Sequence, residues 1–280
     1  MTSTNSSTDR VLVAGATGGV GQLTVAKLLE KGYKVRVLSR SAEKAEKMFK
    51  NQVEVAVGDI RNPDSLPPAV EDISDIICCT GTTAFPSNKW DFDTLQQSTG
   101  QQSWLEWLKI YFDSEHRRKN ANNSPEEVDA EGVSNLVSAA PKTLKRFVFV
   151  SSCGVLRKEQ FPYSVLNSFG VLDAKHKGEE AIITSGLPYT IIRPGRLTDG
   201  PYTSYDLNTL MKATTGGRLG VEVGVGDKLT GQTSRVDVAS ACVECLSIPE
   251  TENQIFELVN KGVKPDNGIN WTALLSKNWV

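Results

Sequence analysis

Histidine and cysteine are scarce in this chain, and long apolar runs are missing. No stretch of its 280 residues approaches the roughly 20 consecutive apolar positions a helix needs to cross a bilayer. Its 31 Lys and Arg against 33 Asp and Glu leave a formal net charge of -2, with a pI near 5.9. That balance offers no electrostatic footprint for nucleic acid, and none for an anionic membrane. Five cysteines, an odd number in a long chain, do not make a disulfide framework and point to a reducing compartment. Cys78 and Cys79 sit in an apolar, strand-like run, and Cys242 and Cys245 fall in a helical pattern from Asp237 to Leu246. With no second Cys-x-x-Cys pair and two histidines in all, these cysteines read as small buried apolar side chains, and no metal is expected. Met1 to Asp9 is rich in Ser and Thr without an apolar stretch. It reads as a disordered tail or as the trimmed remnant of a transit peptide.

What is present is organised around Val11 to Gly21, Val-Leu-Val-Ala-Gly-Ala-Thr-Gly-Gly-Val-Gly. An apolar run stops at glycines and restarts as Gln22 to Leu29, the pattern of a strand, a tight turn and a helix. Such a turn suits a phosphate. Gly15 permits the sharp turn, Gly18 lets backbone approach a pyrophosphate, Gly21 brings helix close to strand, and the helix start offers free N–H groups. The spacing is Gly-x-x-Gly-x-x-Gly rather than Gly-x-Gly-x-x-Gly, so a plain strand-to-helix loop remains the alternative until the context is read.

That context is regular. Strands are expected at Lys34 to Ser39, Val53 to Val57, Asp75 to Cys79, Phe147 to Val150, Tyr189 to Ile192 and Ile255 to Val259. Helices are expected at Ser41 to Lys50, Pro63 to Val70, Val171 to Thr184 and Val236 to Leu246. Ser124-Pro125-Glu126-Glu127 matches a capping box with proline at the first helical position, opening a helix to about Ala140. Alternating strands and helices predict an α/β fold: a Rossmann-like doubly wound parallel sheet with helices on both faces and a small C-terminal region on the substrate side. Residues 10–280 are expected to form one domain, following the tail of residues 1–9, with an insertion at about 89–123. In the insertion, Trp104, Trp107, Leu108 and Tyr111 share one helical face, and Glu106, Lys109 and Asp113 another. This helix reads as a satellite cluster or lid, as a partner or dimer surface over about 98–120, or as a peripheral membrane contact. His116 to Lys119 is a short basic run at a solvated helix end.

Ligands of such sheets bind at the carboxyl ends of the strands, where the marked dipeptides fall. Gly15, Thr17, Gly18, Gly19, Val20 and Gly21 then become a dinucleotide turn, because they follow the first strand and open a helix. After the second strand stand Ser39 and Arg40. An acid there would accept from a ribose 2'-hydroxyl, whereas a guanidinium pairs with a 2'-phosphate, so NADP is expected over NAD. An ordinary surface arginine is the plain alternative, and Arg36 and Lys44 are placed to share the role. Asp59, followed by Ile60, reads either as an acceptor for the adenine amino group or as a turn-former.

The glycine turn resembles the atypical short-chain dehydrogenase/reductases, as do Gly58-Asp59-Ile60, Val150-Ser151-Ser152, the Lys175 helix, Thr190 to Gly195 and Arg235-Val236-Asp237-Val238-Ala239. Within them the chain resembles the NmrA-like NAD(P)-binding proteins of cyanobacteria and chloroplasts, relatives of the biliverdin and flavin reductases. The match spans about Arg10 to Gly262 apart from much of the insertion. The resemblance implies that Thr80, Gly81 and Thr82 line the adenine ribose, Lys175 holds the nicotinamide ribose, and Pro194 and Gly195 face the nicotinamide ring. It also implies a cytoplasmic setting, either cyanobacterial cytosol or chloroplast stroma. In the wider superfamily a Ser at the end of the fifth strand and a Tyr four residues before a Lys carry the chemistry. Here Ser152 and Lys175 are kept as candidate catalytic residues, but Val171 stands at the tyrosine's place. Lysine lowers the tyrosine's pKa and makes it a usable acid, and valine transfers no proton. Tyr163 and Tyr189 are the nearest substitutes. Tyr189 begins a strand, and Tyr163 reaches the cleft only if its loop folds back. Two functions follow. One is an NADPH-dependent oxidoreductase that reduces a conjugated acceptor (flavin, quinone or tetrapyrrole) largely by proximity, with solvent or Lys175 supplying the proton. The other is a non-catalytic NADP(H)-binding redox sensor or assembly factor that docks a protein through the insertion.

Overall fold

A computed structural model describes residues 9–96, 101–198 and 219–276. The expected tail lies outside them except for Asp9, as do residues 97–100 of the insertion and the first residues of a glycine-rich stretch that the sequence shows from Thr215 to Gly231. Eight strands form one sheet in the order β3-β2-β1-β4-β5-β6-β10-β8. They are β1 (Arg10–Ala14), β2 (Lys34–Ser39), β3 (Glu54–Val57), β4 (Asp75–Cys78), β5 (Arg146–Val150), β6 (Tyr189–Pro194), β8 (Leu219–Gly224) and β10 (Gln254–Val263). Every pairing is parallel except β10 with β8. β7 (Arg196–Thr198) and β9 (Gln232–Ser234) form a second, two-stranded sheet.

The alternation of side chains along β1 divides the core. Val11 and Val13 face a cluster built with α1 (Gly19–Glu30), α2 (Ala42–Phe49) and α10 (Arg235–Glu244). Leu12 and Ala14 face the opposite cluster, built with α3 (Pro67–Val70), α7 (Gly132–Ala139) and α9 (Val171–Thr184). With both faces covered, the central strands are apolar on both sides, as parallel strands require.

Three departures have local causes. β8 lies in the glycine-rich stretch, where no strand was expected, and its alternation is broken by Gly220. A Cβ on Gly220 would lie 3.0 Å from Val263 O and 3.1 Å from Lys261 O, so glycine is what admits the irregular end of β10. The helix expected from Ser124 starts with Ser124 Oγ accepting the Glu127 N–H at 3.2 Å. It then runs as a π-helix over Glu126–Glu131 before α7 continues it.

The insertion, with α4 (Asp93–Gln96), α5 (Gln101–Phe112) and α6 (Ser114–Asn120), turns a different face inward than the grouping of its tryptophans suggested. Ile110 and part of Trp107 join Trp90, Phe92 and Ala121 in a satellite core. Glu106 is buried and pairs with His116 of α6 and Lys109. Trp104 at 57%, Leu105, Leu108 and Phe112 at 85% exposure face outward. The segment closes on its own beginning, with Asn122 N–H on Asp91 O at 3.1 Å and Asn123 N–H on Trp90 O at 2.8 Å.

Candidate dinucleotide site

The turn after β1 has the shape its glycines imply. Gly15 has a φ of +74°, and a Cβ there would lie 2.8 Å from the Cys79 carbonyl and the Thr80 nitrogen, so this end of β1 is pressed against the end of β4. Gly18 N–H donates to Gly15 O at 2.9 Å. A Cβ on Gly21 would lie 2.1 Å from Gly15 O, so α1 can start this close only with glycine there. Val20 is buried, and Thr17 O accepts from the Gln22 side chain at 2.9 Å. Among the described residues no side chain caps α1, and its first turn carries no acid. By contrast Ser41, Asp113 and Ser234 cap α2, α6 and α10. The open N–H groups of α1 therefore fit a diphosphate. The Arg235 stem, 3.0 Å from where a Gly19 Cβ would be, closes this turn from the side of α10.

At the end of β2, Ser39 is buried and its hydroxyl is engaged locally with Ser41. Arg40 lies exposed and donates to Asn123 Oδ1 at 3.0 Å. Arg36 does not share its position. Its guanidinium binds Glu54 and the carbonyls of Ala69 and Glu71 at the end of α3, because the middle of a strand cannot reach the sheet's carboxyl edge. Lys44 is exposed on α2. Asp59 acts as a turn-former, accepting the Arg61 N–H at 3.0 Å, and both of its oxygens hold the Arg61 guanidinium. Burial works against its charge, yet these bonds keep its carboxyl below the usual carboxylate range. Ile60 is buried, and its side chain lies where a Cβ on Gly132 would stand, 2.7 Å away.

The other half of the site is built around Lys175. Its ammonium donates to Thr80 O at 3.0 Å and Val150 O at 2.9 Å and forms an ion pair with Asp129 Oδ1 at 2.7 Å. Asp129 is fully buried. Burial raises its pKa, and the lysine charge opposes the rise. Thr82 N–H donates to its second oxygen at 3.2 Å. A Cβ on Gly81 would come within 3.3 Å of both charged atoms, so glycine is the residue that lets the Thr80-Gly81-Thr82 strand end approach the pair. Gly178 does the same from α9, where a Cβ would lie 2.5 Å from Asp129 O.

Strand alternation at the end of β5 separates two serines. Ser151 Oγ donates to the buried Glu179 at 2.5 Å, and Glu179 holds Arg193 at 2.9 and 2.6 Å. Ser152, half-buried, turns its hydroxyl to Cys153 O at 3.0 Å. Cys153 N–H donates to Pro194 O at 2.9 Å, joining the ends of β5 and β6. Gly195 N–H donates to Thr233 Oγ1 at 2.8 Å, and its missing Cβ would meet Gly231 O at 2.5 Å.

Val171 packs in an apolar cluster with Val155, Leu172 and part of Tyr163. Tyr163 does fold back, its ring against Gly154. However, its hydroxyl takes a hydrogen bond from Arg157 at 3.2 Å, and burial raises its pKa despite the nearby Arg157 charge. Tyr189 starts β6 at the opposite edge of the sheet, beside Asn253, too far along the strand to serve the cleft. Sequence reasoning missed Asp129, Glu179 and Asn123 as parts of this region, and it marked Arg193 and Arg235 only within their motifs, without a role. For Asp129 the signal was its place three residues before Gly132 in the helix that follows the insertion. The cysteines are largely buried. Cys79 was not expected to meet Cys242, and a hydrogen bond between the two thiols lowers the Cys79 pKa and raises that of Cys242.

A parallel sheet with an uncapped glycine turn at the carboxyl end of β1, and a lysine anchored between β4 and β5, defines a Rossmann-type dinucleotide-binding protein. The NAD(P)H-binding family is matched over residues 15–249. The chain belongs to this family, within the atypical short-chain dehydrogenase/reductases. It is 33% identical over 258 residues to an uncharacterized chloroplastic protein of Arabidopsis thaliana, covering 90% of this chain and 69% of that one. Sanguinarine reductase of Eschscholzia californica is 32% identical over 269 residues, covering 91% and 89%. Protein TIC 62 of Arabidopsis thaliana, also chloroplastic, is 31% identical over 280 residues, and the chain spans 92% of itself but 36% of that protein. Among solved structures, an anaerobillin reductase of Escherichia coli superposes with a TM-score of 0.63 at 22% identity over 91% of this chain and 99% of that one, a likeness of fold. Among the described residues no helix is long and apolar enough to cross a membrane.

Proposed function

We propose that this chain is an NADPH-dependent reductase of a conjugated acceptor such as a flavin, a quinone or a tetrapyrrole. The observation that carries this reading is the combination of an open dinucleotide cradle with Val171 where an ordinary dehydrogenase needs its acid. Relatedness to sanguinarine reductase over nearly the whole of both chains supports a reductase activity. NADPH supplies the hydride when bound. The chain's own part is to bind and orient: the N–H groups of Gly19 and Val20 at the uncapped start of α1 for the diphosphate, Arg40 for the 2'-phosphate, and the strand ends at Thr80 to Thr82 and Pro194-Gly195 for the riboses and the ring. Lys175 is anchored by Thr80 O, Val150 O and the Asp129 carboxylate, and the proton comes from Lys175, Ser152 or solvent. An acceptor whose reduced form is a stabilised anion tolerates that arrangement, whereas a simple ketone does not. The setting that fits is plastid stroma or cyanobacterial cytosol.

A second reading is supported by the outward stripe of Trp104, Leu105, Leu108 and Phe112 on α5. There the chain holds NADP(H) without turnover and docks a protein partner through the insertion. NADPH oxidation by the purified chain against a panel of flavins, quinones and bilins separates the two. Turnover with at least one planar acceptor is expected. Tight NADPH binding with no turnover on the whole panel would instead leave the docking function.

A further inference from the structure

We propose that Asn123, at the closing end of the insertion, is a specificity-determining residue that reads the 2'-phosphate of NADP(H) together with Arg40, an inference that rests on the NADP reading above. Two arginines stand at this edge, and their partners differ in charge. Arg61 is neutralised by both oxygens of Asp59. Arg40, whose charge is near enough to lower the Asp59 pKa, has no carboxylate partner among the described residues and donates to the neutral carboxamide of Asn123 at 3.0 Å. The excess positive charge of the cluster therefore rests on Arg40.

Asn123 is held there from two sides. Its N–H donates to Trp90 O at 2.8 Å. The preceding carbonyl, that of Asn122, accepts from Arg61 Nη1, so the Asp59–Arg61 pair ties the end of β3 to the end of the insertion. The Asn123 residue is 9% exposed, a polar group fixed at the rim rather than a mobile surface side chain. A phosphate dianion forms charge-assisted bonds roughly twice as strong as those of a neutral amide. It would take the Arg40 guanidinium from Asn123. A carboxamide both donates and accepts, so its NH2 group can then face the same phosphate. A carboxylate at this position would neutralise Arg40 and repel the ligand. The insertion thereby supplies one wall of the cofactor site.

The test uses titration calorimetry on the full chain with NADPH, NADH, adenosine 2',5'-bisphosphate and 5'-AMP. Asn123→Asp is expected to weaken NADPH and the bisphosphate roughly tenfold or more, with NADH and AMP within about twofold. Asn123→Ala is expected to give a smaller loss of the same selectivity, and in an Arg40→Ala background neither change should add a selective loss. Equal losses for phosphorylated and unphosphorylated ligands, or none, would overturn the role of Asn123. A wild-type chain that does not prefer the bisphosphate to AMP overturns the NADP reading itself, and the proposal with it. Should Asn123→Asp fail to fold, amide exchange of the wild-type chain decides. Altered protection around residues 120–124 with the bisphosphate but not with AMP is expected, and the same protection with both rejects the proposal.

Discussion

Lys175 and Asp129 show how a single buried pair is both structural and electrostatic. Two charges taken out of water recover their desolvation cost only through close geometry and further hydrogen bonds, here from Thr80 O, Val150 O and the Thr82 N–H. Removing one partner leaves the other unpaired. Lys175→Met is expected to destabilise the chain by roughly 3–5 kcal/mol in urea unfolding, while Lys175→Met with Asp129→Leu recovers most of that loss. A double variant as unstable as the sum of the two singles would argue against a coupled pair. Asp75, buried at the start of β4, behaves differently. Burial pushes its carboxyl from 3.8 up to about 6, with the Ser74 hydroxyl opposing. The folded state then holds the proton more tightly than the unfolded chain. The contribution of Asp75 to stability is therefore largest below about pH 4, falls as pH rises towards 6, and stays lower above it. Asp75→Asn keeps the Ser74 contact without the charge. It is expected to stabilise the chain at pH 7.5 by up to about 2–3 kcal/mol and much less at pH 4, and an equal gain at both values would refute the assignment.

At the scale of elements, α9 carries two opposite charges inward four residues apart, Lys175 to Asp129 and Glu179 to Arg193. Gly178 between them allows the helix to reach the π-helical turn. The glycine turn depends on the same kind of close approach. Gly21→Ala is expected to cost roughly 1–3 kcal/mol, because its methyl must displace the Gly15 carbonyl, and to abolish dinucleotide binding. A thermal melt with a titration checks both, and unchanged affinity would mean that the turn does not hold the diphosphate. α5 is a third case. Its buried Glu106 is paired by His116 from α6 and by the exposed Lys109, so the helix can turn this carboxylate inward and present an apolar stripe to the outside.

For the molecule as a whole, the site joins parts distant in sequence: the turn of residues 15–21, the end of β2, the end of the insertion, and α9. A ligand spanning such parts stabilises all of them together, by about 2.7 kcal/mol at a hundredfold excess over its Kd. NADPH is expected to raise the melting temperature more than NADH at equal concentration, with Arg40→Ala removing the difference. Equal shifts in the wild-type chain would assign no role to the 2'-phosphate.

The sequence by itself determined the sheet's parallel core and the glycine turn, and it set Val171 four residues before Lys175, where the family resemblance implies a tyrosine. Each is a local signal: an apolar run of fixed period, a residue whose missing side chain has one use, a spacing of four before Lys175. It also placed β2 and α9 at their observed limits, Lys34–Ser39 and Val171–Thr184. Only the tertiary structure decided which charges are buried and who meets them. Asp129, Glu179 and Glu106 look like surface residues when read by polarity, because their partners Lys175, Arg193 and His116 come from other elements or other turns. The same holds for β8, whose glycines hide a strand until β10 supplies its hydrogen bonds, and for Asn123, which gains a role only because the insertion folds back onto the end of β2. Period and composition report on neighbours along the chain, whereas pairing energies depend on neighbours in space.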